Sequence, residues 1–145
     1  MPLRVPEHLV KAFRDAGVTA EATVFAASDG LGDEWEETVA ELRAAFQVTQ
    51  TALQRGSPVV YVVAGDDLLG RRGPGRAMVA CGLLSAARTA AVEGARAGVP
   101  VNTLAVEADT PPATVAAWVA RLLEPGGPTG ELVRLGTAHL GKALP

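Results

Sequence analysis

The sequence has one cysteine, Cys81, one tyrosine, Tyr61, and two histidines, His8 and His139. A lone cysteine excludes an internal disulfide and a cysteine-based metal cluster, which fits a reducing cytoplasm. His8 and His139 stand near opposite ends with no third ligand at metal spacing, so both read as surface histidines. Positive charge is also in short supply: 13 Lys and Arg against 16 Asp and Glu give a net charge of −3. No basic block is present that could neutralise a run of phosphates, which excludes nucleic acid as a partner. No stretch approaches the roughly 20 apolar residues needed to cross a bilayer. The opening MPLRVPEH lacks the apolar core of a signal peptide, so the expectation is a soluble cytoplasmic protein.

At 145 residues with 48% hydrophobic content, the chain has the size and apolar share of one domain, residues 1–145. Leu9, Val10 and Phe13 recur at helical spacing between Pro6 and Ala16, and Gly17 suits the stop. The compact apolar run from Ala22 to Ala27 reads as a buried strand. Asp33 followed by Glu36 has the form of a capping box, and Trp35, Val39, Leu42, Phe46 and Leu53 then share one helical face up to Gly56. Ala40, Ala44, Val48 and Ala52 form a second stripe, so this helix is expected to pack on two sides. Pro58 to Ala64 is an unbroken apolar strand of the kind covered on both faces of a parallel sheet. A long helix follows at 76–97, then a strand from Val101 to Val106, a helix from Pro112 to Leu123 and a strand from Glu131 to Leu135. Strands alternating with helices predict an α/β fold in three layers. Its sheet should be mostly parallel, of about four strands, with right-handed crossovers.

Four stretches, in order, resemble the second half of a short-chain dehydrogenase/reductase. VFAAS at 24–28 stands where that family has its Asn-Asn-Ala-Gly strand end, and FQVTQTAL at 46–53 is similar to FxVTQAAL. GSPVVYVVAG at 56–65 resembles the GxIVNISS strand, and ARAGVPVNTLAVE at 95–107 matches GIRVNAVAPG in spacing. TGELVRLGTA at 129–138 is close to the terminal TGxxLxVDGG strand. The resemblance implies a truncated Rossmann-like domain. Only some twenty residues precede the first of these strands, too few for the family's nucleotide half, and neither Gly30-Leu-Gly32 nor Gly70-Arg-Arg-Gly-Pro-Gly75 has the order of a dinucleotide turn. No cofactor is expected.

The resemblance also places the family's catalytic set. Anchored on Glu93 and Asn102, its tyrosine falls on Arg76, its lysine on Ala80, its serine on Val62 or Val63 and its asparagine on Glu41. No tyrosine or lysine occurs from residue 62 to 141, so a small slip restores nothing. An arginine does not release its proton at neutral pH, and valine and alanine polarise nothing. The chain is therefore expected to be catalytically silent.

What remains is apolar helix surface. The helix at 76–97 keeps its polar residues in one sector and is otherwise Ala, Val, Leu and Gly, which one sheet does not cover. In the family this helix and the one before it form a four-helix interface. The expected association residues are Ala40, Ala44, Val48 and Ala52 on one helix and Leu83, Leu84, Ala87 and Ala91 on the other. The implied partner is a full-length reductase of the same family, or a second copy in a homodimer. An alternative is a cofactor-independent enzyme or acyl-ligand binder using a strand-end crevice at Ser28, Asp66, Asp67 and Glu107. Arg71, Arg72 and Arg76 could meet an acidic partner but read as a solvated loop, and Cys81 reads as a small buried side chain.

Overall fold

The computed structural model describes residues 3–19 and 21–137, so His139 and the tail after Thr137 lie outside the described residues. Five strands form one parallel sheet in chain order: β1 (Leu3–Arg4), β2 (Thr23–Ala26), β3 (Val59–Ala64), β4 (Val101–Val106) and β5 (Leu132–Leu135). The two-residue β1, absent from the sequence reading, makes the fifth. Helices α1 (Glu7–Asp15), α2 (Trp35–Gln54), α4 (Pro74–Gly94) and α5 (Pro112–Leu122) connect them, with a short α3 (Gly65–Leu68) after β3 and a 3-10 turn (Ala95–Ala97) closing α4.

Alternation along the apolar strands feeds two cores. Phe25, Val59, Tyr61, Val63 and Val101 point to a core shared with α2 and α4. Val24, Val60, Val62 and Leu104 point to the other, built with Leu9 and Phe13 of α1 and Val115, Val119 and Leu122 of α5. This gives the expected three layers. The expected handedness needs correction. All four connections step the same way across the sheet, yet α2 and α4 cover one face while α1 and α5 cover the other. Connections on opposite faces then have opposite hands, so two of the four are left-handed, against the general preference.

The helix faces also depart from the expectation. The inward face of α2 is Thr38, Glu41, Ala45, Thr49 and Ala52. Of the alanine stripe, Ala52 is buried, Ala44 and Val48 are half-buried against the core, and Ala40 is exposed. Trp35 and Phe46, from the stripe that looked most core-like, are 62% and 65% exposed. On α4, Leu83, Leu84, Ala87 and Ala91 are all buried, Ala87 completely, because β3, β4, α2 and α3 together enclose that helix. They offer no surface to a partner. Close approach of α2 to α4 uses Gly82, where a Cβ would lie 2.9 Å from Leu42 Cδ2. Cys81 is exposed rather than buried.

Two polar devices hold the layers. Asn102, fully buried on β4, donates from Nδ2 to the carbonyls of Leu122 (3.1 Å) and Pro128 (2.7 Å) and accepts from the Glu131 amide (3.2 Å), fixing the glycine- and proline-rich connector. Thr49 donates to the Ala45 carbonyl, so its oxygen accepts from the Tyr61 hydroxyl. Burial pushes the Tyr61 phenol above its ordinary pKa, and Thr49, whose hydroxyl can turn to donate to the phenolate, offsets part of that rise.

Asn102→Ala leaves two carbonyls and one amide without partners, and should cost about 2–4 kcal/mol. Urea unfolding should show a lower midpoint at unchanged slope. A loss below about 1 kcal/mol would contradict the role given to this side chain. For Tyr61 the folded pKa lies above the unfolded one, so its contribution is complete below about pH 10 and is lost as pH rises through the folded value. Because it is the sole tyrosine, ultraviolet titration of the phenol should show ionisation delayed until unfolding. Tyr61→Phe should remove that part of the alkaline loss.

Candidate functional site

The carboxyl ends of the strands open onto a crevice of about 490 Å³, the place where open α/β sheets put their ligands. Its floor is apolar: Leu9 of α1, Ala26 at the end of β2, Val62 of β3, Val106 of β4 and Val115 of α5. Its rim carries His8, Asp29, Asp66, Arg72, Glu107 and Thr110. Two of the four residues expected there, Asp66 and Glu107, line it. Ser28 and Asp67 do not. The Ser28 amide donates to Glu41 Oε1 at 2.8 Å, and Asp67, 5% exposed, accepts Arg72 Nε and Nη2 at 2.8 and 2.7 Å. That two-point contact, followed by a smaller opposing effect of burial, raises the Arg72 pKa further above its ordinary value. Asp66 pairs with the exposed Arg71 at 3.0 Å. The Glu107 carboxylate accepts from Arg134 at 3.2 Å and from the Thr137 amide at 3.1 Å.

His8, Asp29 and Thr110 are the rim residues that sequence reasoning missed. Asp29 stands three residues beyond β2, Thr110 four beyond β4, and His8 in the first turn of α1, a positional signal that residue chemistry alone does not give. Asp29 was hidden in a glycine-containing loop, and that loop is wired to the helices. Its Asp29 carbonyl accepts Arg76 Nη2 at 2.7 Å, and the Gly32 amide donates to Glu37 at 2.6 Å. The expected capping box at Asp33 and Glu36 does not form. The N-cap of α2 is Glu34, without a side-chain bond, and the Asp33 carboxylate instead accepts the Gly75 amide at the start of α4 (3.2 Å). Close approach explains the glycines here. A Cβ on Gly73 would sit 2.7 Å from Asp33 Oδ1, and one on Gly75 would sit 2.8 Å from the Gly32 carbonyl.

The four positions aligned with a catalytic set are used as structure. Glu41, 5% exposed, holds Arg4 Nη2 at 2.6 Å, while the Arg4 guanidinium lies 4.6 Å from the Phe25 ring centroid. Val63 and Ala80 are buried in the α2–α4 core, and Arg76 donates from Nη2 to the Asp29 carbonyl. The turn from β1 into α1, where a doubly wound nucleotide fold carries its glycines, consists of Val5 and Pro6. It has no glycine, and Pro6 has no amide hydrogen to give a phosphate. Among the described residues no group of three His, Cys, Asp or Glu could hold a metal ion, and no helix is long and apolar enough to cross a membrane.

A second concavity, about 700 Å³, runs between α2 and α4 on the outside of the molecule. Leu42, Phe46, Leu53 and Ala86 line it, with Tyr61 and Thr49 at its base.

No family model matches the chain, and no curated protein matches it. Solved structures do. The citronellol catabolism dehydrogenase AtuB of Pseudomonas aeruginosa PAO1 superposes with a TM-score of 0.59 at 23% identity, over 88% of this chain and 66% of that one. An oxidoreductase of the short-chain dehydrogenase/reductase family from Burkholderia thailandensis gives 0.63 at 17% identity, over 90% of this chain and 70% of that one. The chain thus spans about two thirds of the length of either. Across nearly nine tenths of its residues it has the fold of short-chain dehydrogenase/reductase oxidoreductases.

Proposed function

We propose that this chain is a non-catalytic subunit on the reductase fold that associates, through the outer face of α2 and α4, with a full-length short-chain reductase and stabilises or shapes it. A homodimer through the same face is the variant of this reading. The observation that carries it is Phe46, 65% exposed beside an open apolar groove, with Trp35 at 62%, Met78 at 48% and Val92 at 77% on the same two helices. Isolated exposed apolar residues are common, but an open apolar groove lined by an exposed aromatic, on helices that expose three more large apolar side chains, marks an interaction surface. The non-catalytic half is supported by Glu41, Val63, Arg76 and Ala80, where the family's chemistry would need Asn, Ser, Tyr and Lys. The association residues differ from those the sequence pointed to: Ala52, Leu83, Leu84, Ala87 and Ala91 are buried inside the subunit, Ala44 and Val48 are half-buried against its core, and Ala40 alone of that set is exposed.

Light scattering on the chain alone and with a co-encoded full-length reductase should give a mass above that of the monomer in at least one case. Phe46→Glu or Val92→Arg, each on exposed surface, should weaken that assembly at least tenfold, about 1.4 kcal/mol, without changing the melting of the monomer. Ala87→Glu should instead unfold the chain, because it puts a charge in the core. A wild-type monomer that ignores every such reductase overturns the reading.

Arg76→Tyr with Ala80→Lys should produce no ketone reduction with NADPH, since neither change supplies a glycine turn for the nucleotide. Turnover by that variant, with its fold checked by circular dichroism, would show that a nucleotide site is present.

A further inference from the structure

We propose that residues 3–17, β1 with α1, form a strap that opens as one unit while the rest of the fold stays intact, and that the Arg4–Glu41 ion pair is its latch. α1 lies on the opposite face of the sheet from α2 and α4, so the strap is independent of the association reading.

Little besides the latch joins the strap to the sheet. β1 pairs with β2 through Leu3 and Arg4 alone, at the edge of the sheet. α1 has 9 residues, below the roughly 12–15 at which a helix holds by itself in water, and no side chain caps its N-terminus. It therefore depends on packing, yet only Leu9 and Phe13 of this helix are buried. β3 and β4, by contrast, have a strand on each side and are buried along nearly their whole length. A segment opens at a free energy set by the apolar contacts and ladder bonds it gives up, so the strap separates at lower cost than the central strands.

The latch is a close contact with a built-in fault. Arg4 Nη2 donates to Glu41 Oε2 at 2.6 Å, and the guanidinium lies 4.6 Å from the Phe25 ring centroid. Arg4 Nη1, however, is buried in the closed form with no hydrogen-bond partner. A buried donor left unpaired is destabilising, and opening returns that donor to water. Glu41 keeps the Ser28 amide as a partner when Arg4 leaves. Both halves of the pair are thus provided for in the open form, which lowers the cost of breaking a buried ion pair.

Opening dismantles the crevice at the strand ends, because Pro6, His8 and Leu9 are the strap's share of its lining. The crevice is complete only with the strap closed. Anything that touches those three residues binds the closed form alone and holds it shut.

Hydrogen exchange of the intact chain, followed by mass spectrometry where exchange reports the opening equilibrium, tests the strap. After correction for intrinsic rates, peptides of α1 should exchange at least tenfold faster than those of β3 and β4. Asn102→Ala weakens the part that stays folded, so it should speed exchange in β3 and β4 at least tenfold and leave α1 within twofold. Glu41→Gln keeps an acceptor for the Ser28 amide but loses the charge facing Arg4, and should speed α1 exchange at least tenfold. Arg4→Gln, on the half-open side of the pair, should do the same, whereas Arg4→Lys should recover most of the protection. The proposal is overturned if α1 exchanges no faster than β3 and β4, or if Asn102→Ala speeds both alike. It also fails if Arg4→Lys loses as much protection as Arg4→Gln, or if the latch variants leave α1 unchanged, the sign of a helix that frays without β1.

Discussion

A buried carboxylate on α2 sets the geometry of the strand ends. Glu41 accepts the Ser28 amide just past β2 and the Arg4 guanidinium of β1, while its own backbone belongs to the helix over the sheet. One side chain therefore fixes three elements. The pair is shielded on the Glu41 side and half-open on the Arg4 side, at 6% and 42% side-chain exposure, so the arginine keeps part of its hydration. That geometry reduces the desolvation penalty which makes fully buried ion pairs poor stabilisers. β1 has only two residues and pairs through Leu3 and Arg4 alone, too little ladder to order it without help. The Arg4 guanidinium also faces the Phe25 ring, so the strand is held by charge and by a cation–π contact. Where β1 is placed, the β1–α1 turn is placed, and with it one wall of the crevice.

Much of this order was written in the sequence in a form that periodicity can read. β3 and β4 are apolar without interruption, and only a strand covered on both faces needs that. The long helices and the α/β class follow from them. The two-residue β1 was not legible, because Leu3-Arg4 has no pattern until Glu41 and Phe25 are brought near it, and both lie far along the chain. The hands of the connections were not legible either. They depend on which face of the sheet each helix covers, and local sequence does not encode that.

The helix faces show why size and apolarity alone mislead. Trp35 and Phe46 look like core residues, whereas Thr38, Glu41 and Thr49 look like surface, and in α2 the roles are reversed. Two of these three inward polar groups have specific partners: Glu41 has Arg4 and the Ser28 amide, and Thr49 has the Ala45 carbonyl and Tyr61. A paired polar group can be buried at little cost, and periodicity does not see partners. On α4 the alanines that looked like a docking stripe are the residues that let α2 and the sheet come close. Its exposed sector, with Met78, Cys81, Ser85 and Val92, is the one where the polar residues were seen in sequence.

The candidate crevice was half legible for the same reason. Asp66 and Glu107 could be placed at the strand ends by counting from β3 and β4. Asp67, one residue further, turns inward to Arg72 because α3 starts at once after β3 and points successive side chains to different sides. The same short helix thus sends one carboxylate to the rim and buries its neighbour against Arg72. Composition near a strand end therefore does not determine the charge offered to a ligand. The internal pairing of each group does, and in this chain that pairing commits Arg72 and leaves the Asp29 carboxylate on the rim.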